Sequence, residues 1–307
     1  MQVFRPEGTY RCADRLTADE LRAAMASQEI LQSTALAFDT DRRLRFTFAA
    51  GQGVMPFAEA ADGADAGTVR DIAVLTRVGR PTCFVIRAIE PGPDGRLQLA
   101  LSRAQAQRMC KAEYLDKLAP GDIIDAVVTH IEPFGAFCDI GCGISALLPI
   151  DCLSVSRISS PADRVTPGQL IHCVIKSRDV QGRFVLSLRE LLGTWQENAD
   201  AFRPGETVVG VVRSIEDYGT FIEIAPNLAG LAESCAELVP GQAVSVYIKN
   251  ILPEKMKVKL VIVNRNLNQH IRFALRYFIT EGHMDQWIYS TPESHKTIVT
   301  DFGYALL

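Results

Sequence analysis

Residues 120–140, PGDIIDAVVTHIEPFGAFCDI, return at 204–224 as PGETVVGVVRSIEDYGTFIEI, with nine of 21 aligned positions identical. A second ungapped block pairs TPGQLIHCVIK (166–176) with VPGQAVSVYIK (239–249). The offsets are 84 and 73, so the first copy carries 11 extra residues (84 − 73), assigned to a loop around SVSRISSPADRV. Self-similarity of this length restricts the chain to small structural units used more than once. With 307 residues and 48% hydrophobic content, two or three such units can each bury a core.

The runs DIIDAVVTHI, AFCDI, ISALLPI, LIHCVIKS and RFVLSL in the first copy are short, rich in strand formers, and bounded by Gly, Pro or Asp. Five such strands make one small barrel. Alternation along the second strand places Ala136, Cys138 and Ile140 on one face, as it does Thr220, Ile222 and Ile224 in the later copy. The opposite face carries Phe137 with Asp139, and Phe221 with Glu223. A ring beside a carboxylate on the non-core face is expected to meet solvent in both copies.

Upstream, LTADELRAAMASQ reads as a helix with Thr17 and Glu20 as a capping box. Five further strand-like runs follow, EILQSTALAFD, RLRFTFAAG, GVMPFAEA, TCFVIRAIE and LQLALSR, with GPDG as a turn before the last. They suggest a diverged first copy. Residues 102–118 and 188–202 lack strand alternation and read as helical connectors. After the last copy, apolar residues at 267, 271, 275 and 279 predict one helical face, followed by strand-like QWIYST and KTIVTDF. The expected division is 1–103, an N-terminal helix and degenerate repeat; 104–118, a linker; 119–188 and 203–263, two full repeats joined by a linker at 189–202; and 264–307, an α-β-β unit.

A formal charge of −4 argues against the uniformly basic surface of many duplex-DNA binders, but leaves room for a local basic patch. No apolar run approaches a membrane span and the start lacks a signal-peptide pattern, so a soluble cytoplasmic protein is expected. The eight cysteines include no CxxC pair and read as reduced thiols. Zinc is disfavoured, because Cys138 and Cys173 correspond to Ile222 and Val246 in the later copy. GCG at 141–143 reads as a hairpin turn, lacking the Lys-Ser/Thr and helix of a phosphate loop. His270, His283 and His295 follow no metal-ligand spacing, even with Glu281 and Asp285 beside His283, and Trp287 and Tyr289 are expected to pack.

A five-stranded barrel presenting aromatics beside cations suits single-stranded nucleic acid, with bases on the rings and Lys or Arg along the phosphates. PGDIIDAVVTHIEPFGAFCDIGCGISALLPI with VIKSRDVQGRFVLSL, and PGETVVGVVRSIEDYGTFIEIAPNLAGLAES with YIKNILPEKMKVKL, resemble the RNA-binding repeats of bacterial ribosomal protein S-one (S1). The resemblance covers about half the chain, from Pro120 to Ile262. It implies a mainly β fold of tandem five-stranded OB-fold barrels joined by short helices, with a small C-terminal helix-hairpin unit. It also implies RNA contacts from Phe134 and Phe137 in the middle repeat and Tyr218 and Phe221 in the last, with Asp179 and Arg183 as an acidic-basic pair. Lys257 stands where the last repeat's Arg is expected, and Lys249, Lys255 and Lys259 add charge. Two departures stand out: the family's third-strand His is replaced by Pro149 and Glu233. In the first unit the aromatic-Gly-x-Phe step is missing, with Arg43 or Leu44 and Phe46 or Phe48 near the ring positions, which points to protein docking, as N-terminal repeats of that family do on the small ribosomal subunit.

From the residues alone, Asp179 can equally cap its own turn. The expected function is non-catalytic binding of single-stranded RNA (mRNA) in translation or mRNA handling, without a cofactor and without a membrane. The rivals are a docking module for ribosomal or transcription proteins, and an RNA-processing enzyme built on the tail histidines.

Overall fold

The computed structural model describes residues 3–92, 95–265, 267 and 271–303. The chain divides into two compact units, residues 1–118 with 139–145, and residues 119–138 with 146–307.

The first unit opens with α1 (Ala18–Ser27), which starts at the predicted capping box: the Glu20 amide donates to Thr17 Oγ1 at 3.3 Å and the Thr17 amide to Glu20 Oε2 at 2.9 Å. Six strands follow: β1 (Leu31–Thr34), β2 (Ala37–Phe38), β3 (Arg43–Phe48), β4 (Gly51–Pro56), β5 (Pro81–Pro91) and β6 (Leu97–Ser102). Two short helices, α2 (Phe57–Ala60) and α3 (Asp71–Leu75), lie between β4 and β5, and α4 (Arg103–Glu113) leaves β6. Pro93 and Asp94 of the predicted GPDG turn lie outside the described residues.

The strand order is β1-β5-β6-β4-β3-β2, so the two ends of the sheet are neighbours in the chain, separated by Ala35 and Leu36. The six-stranded sheet follows the strand order of the five-stranded barrels, with the first strand broken in two. Phe46, Phe48 and Phe84 are buried in its core and meet edge to face, with centroids 5.6 and 6.0 Å apart. The rings at Phe46 and Phe48 are therefore core residues, not a solvent-facing pair.

The second unit holds two closed barrels. Residues of β7 (Ile123–Glu132), β8 (Gly135–Asp139), β9 (Ser145–Pro149), β10 (Leu170–Arg178) and β11 (Phe184–Ser187) form the middle one, in the order β10-β11-β9-β8-β7. The last is built from β12 (Thr207–Glu216), β13 (Gly219–Ala225), β14 (Leu228–Ala232), β15 (Ala243–Leu252) and β16 (Lys257–Asn264), in the order β12-β13-β14-β16-β15. A parallel pairing in each sheet joins its third and fifth strands: β9 with β11, β14 with β16, and β4 with β6 in the interrupted version. Ala136, Cys138, Ile140, Thr220, Ile222 and Ile224 all point into cores, as the alternation predicts.

The expected outward carboxylates do not meet solvent. Asp139 is buried in the first unit, where it accepts the Glu7 amide at 2.7 Å and the Gly141 and Gly143 amides at 2.8 and 3.0 Å. Glu223 is fully buried in the second unit, between Arg164 and Arg213. Pointing away from a barrel core is not the same as pointing to water when another segment covers that face.

A 3-10 turn (Arg189–Leu192) and α5 (Trp195–Ala199) connect the barrels, and Trp195 lies in one continuous core with Val174, Val246 and the tail residues Trp287 and Tyr289. Asn227, in the left-handed region at φ +64°, ties three segments together. Its side chain accepts the Val155 amide at 2.9 Å and donates to the Arg189 carbonyl at 2.7 Å, while its own carbonyl accepts the Tyr289 hydroxyl.

The predicted tail helix is absent from residues 271–280. Ile271, Phe273, Leu275 and Tyr277 are half-buried while Arg272, Ala274 and Arg276 are exposed, an extended pattern of period two. Contacts with the middle repeat and the connector hold it there: the His172 amide donates to the Tyr277 hydroxyl at 3.3 Å, and the Phe278 amide to the Leu191 carbonyl at 2.9 Å. The predicted hairpin forms from β17 (Gln286–Ile288) and β18 (Val299–Asp301).

Candidate nucleic-acid interface

Phe134 and Tyr218 occupy the turns that enter β8 and β13, and Phe137 and Phe221 follow three residues later on those strands. The intervening glycines are required by close approach. A Cβ on Gly135 would meet the Leu148 carbonyl oxygen at 2.6 Å, and one on Gly219 the Ala232 carbonyl oxygen at 2.6 Å. Pressing the third strand against the turn in this way turns the preceding ring outward, and Phe134 is 55% and Tyr218 72% exposed. The two pairs have the same geometry. Phe134 and Phe137 have centroids 6.1 Å apart at 87°, and Tyr218 and Phe221 6.0 Å apart at 87°. Each pair presents one highly exposed ring edge-on to a half-buried one.

Asp179 serves its own turn: Oδ1 accepts the Gln181 and Arg183 amides, both at 2.9 Å, and Oδ2 accepts Arg183 Nε at 2.7 Å. The Arg183 amide, then its guanidinium, hold the Asp179 carboxyl below its ordinary range. Asp179 and Arg183 therefore pair with each other, with the carboxylate fixing the direction of an exposed arginine.

In the last repeat, Tyr218, Phe221, Lys255 and Lys257 line a common groove of about 490 Å³. Lys249 and Lys259 are exposed on β15 and β16 but do not line it. Sequence reasoning missed two cations on the same groove, Arg157 from the middle repeat's long loop and Lys296 from the loop between β17 and β18. It also missed His130, whose ring stacks on Phe137 at 4.5 Å and 11°. A signal for His130 existed, since Ser214 pairs with Phe221 across β12 and β13, and the repeat offset carries that pairing to residues 130 and 137.

Among the described residues, no group of three or more His, Cys, Asp or Glu is placed to hold a metal ion. His270 lies outside the described residues. His283 is spent on the tail's attachment, with Nδ1 2.7 Å from Asp122 Oδ1.

Residues 117–189 match the family model described as S1 RNA binding domain. The chain carries an S1-type domain. Among similar proteins, the "Small ribosomal subunit protein bS1" of Leuconostoc lactis is 31% identical over 187 residues, 56% of this chain and 43% of that protein. The bS1 homolog of Bacillus subtilis is 30% identical over 198 residues, 62% of this chain and 50% of that protein. The bS1 protein of Staphylococcus aureus is 36% identical over 166 residues, 50% of this chain and 42% of that protein. The chain therefore spans about half the length of the curated relatives it matches.

Against the S1 pattern the departures keep their structural sense. Pro149 ends β9 of the matched S1 domain, and Glu233 is exposed just beyond β14, so neither repeat offers an imidazole donor there. In the S1 domain, His130 places an imidazole beside Phe137 from the first strand instead.

Proposed function

We propose that this protein binds single-stranded RNA without catalysing a reaction on it, in the cytoplasm, as part of translation or mRNA handling. The observation that carries the reading is the duplicated ring pair, alike in spacing and angle in two barrels that differ at more than half of their aligned positions. A core does not need a ring that is 72% exposed, whereas an unpaired base gains from one. Phe134, Phe137, Tyr218 and Phe221 would carry bases. Arg183, aimed by Asp179, together with Lys249, Lys255 and Lys257, would attract phosphates. The bS1 names of the relatives support the small ribosomal subunit as a setting.

The test is a binding titration against single-stranded and duplex RNA at several salt concentrations, comparing the wild type with Phe137→Ala, Phe221→Ala. Stacking on each ring contributes about 1–3 kcal/mol, so the double variant should lose roughly 30-fold or more while keeping its salt slope. Equal affinity of the wild type and the variant for single strands would remove the reading.

A further inference from the structure

The groove beside Tyr218 and Phe221 is not built by the last repeat alone. One wall is the middle repeat's extended loop, with Val155 and Arg157, and another is the C-terminal hairpin, with Lys296 and Ile298. Both lie outside the repeat that owns the rings.

The charges that line the groove are unequal in number and in freedom. Arg213 is spoken for: it pairs with Glu223 at 2.6 Å and Asp163 at 3.2 Å, and with Arg164 it makes a balanced cluster of two cations and two carboxylates. Arg157, Lys255, Lys257 and Lys296 are all exposed and, among the described residues, none makes an ion pair. Glu216 is the carboxylate that faces them in the lining. In a chain of net charge −4, this is a concentration of positive charge beside exposed rings.

The backbone segments that carry the two added cations are tied down on either side. Next to Arg157, the Val155 amide donates to Asn227 Oδ1 at 2.9 Å, and Arg164 Nη2 donates to Ser154 Oγ at 2.9 Å. Beside Lys296, the Ile298 amide donates to Ser290 Oγ at 2.8 Å and the Tyr289 amide to the Ile298 carbonyl at 3.0 Å. Walls ordered before binding lose little entropy when a ligand arrives.

Resting on the RNA-binding reading, we infer that Arg157 and Lys296 complete a composite groove in which a single RNA strand lies with a base on Tyr218 and Phe221 and flanking phosphates on these two cations. The extra length of the middle repeat and the C-terminal hairpin then serve the last repeat's ligand.

The experiment is fluorescence anisotropy of a labelled single-stranded RNA with the full chain. It compares the wild type, Arg157→Ala with Lys296→Ala, the conservative Arg157→Lys with Lys296→Arg, and Phe137→Ala with Phe221→Ala, across about 0.05 to 0.4 M salt. Each phosphate contact to a single strand contributes about 0.7 to the salt slope, so losing two should flatten it by about 1.4 and weaken binding roughly 20-fold near 0.1 M salt. The charge-conserving pair should restore the slope. If the alanine pair binds like the wild type while the ring variant does not, the groove is wrong and the RNA reading stands. If it loses affinity at an unchanged slope, the loss is structural and the inference also fails. If neither variant changes binding, both fall.

Discussion

Phe221 and Glu223 lie two residues apart on the same side of β13, and they have opposite fates. Phe221 stays half-exposed, while Glu223 is covered by two guanidiniums, with Arg213 Nη2 at 2.6 Å and Arg164 in contact with the other oxygen. A buried carboxylate is tolerated only when such partners replace its water. Removing its charge should therefore cost more than removing either partner alone. Glu223→Gln leaves the buried Arg164 without a counter-charge and Arg213 with Asp163 alone, and should destabilise by about 3–5 kcal/mol. Arg164→Met should cost less, because Arg213 still neutralises Glu223. Urea unfolding of the two variants checks the order, and equal costs would mean that the cluster acts through packing. Alternation in the sequence gave the ring's direction correctly and the carboxylate's surroundings wrongly. Period two reports which way a side chain leaves the strand, whereas Arg164 reaches Glu223 from 59 positions away, where no local pattern records it.

At the level of elements, the same limit explains the tail. Apolar residues at 271 and 275 fit a helix, but 271, 273, 275 and 277 fit a strand equally well, and the surface of the middle repeat decides between them. The repeated strands were legible because two copies agreed on their boundaries; the tail has no second copy to compare. Its junction with the middle repeat is short and polar. The Ile123 amide donates to the Gly282 carbonyl at 3.0 Å and the Met284 amide to the Gly121 carbonyl at 2.9 Å, with the His283–Asp122 contact between them. The hydrogen bond to Asp122, then the Asp122 and Asp285 charges, raise the His283 pKa above its ordinary 6.5. A raised histidine pKa means stabilisation that is fully present below about 6.5 and fades as the pH climbs through the folded-state value. An NMR titration of the His283 imidazole should give a midpoint above 6.5, and Asp122→Asn should bring it down toward that value. An unshifted midpoint in the wild type would mean that the contact does not hold in solution.

Taken as a whole, the second unit is not a pair of beads on a string. The core of the last barrel continues through the connector and the hairpin and reaches the middle barrel at Val174, so that Val174, Trp195 of the connector, Val246 of the last repeat and Trp287 of the tail are buried together. Barrels that bury surface against each other lose their cores together, so they should unfold in one cooperative step. The chain's two tryptophans both lie in this core, one in the connector and one in the hairpin, and so report on different parts of it. Trp195→Phe leaves Trp287 as the probe, and Trp287→Phe leaves Trp195. Each variant's fluorescence midpoint in urea should coincide with the midpoint at which the amide NMR signals of the second unit's strands are lost. A fluorescence transition that precedes the loss of β structure would show the hairpin or connector detaching first. The outcome bears on binding, because two ring faces on one cooperative body meet a strand at a fixed effective concentration, whereas independently mobile barrels would meet it at one set by their linker.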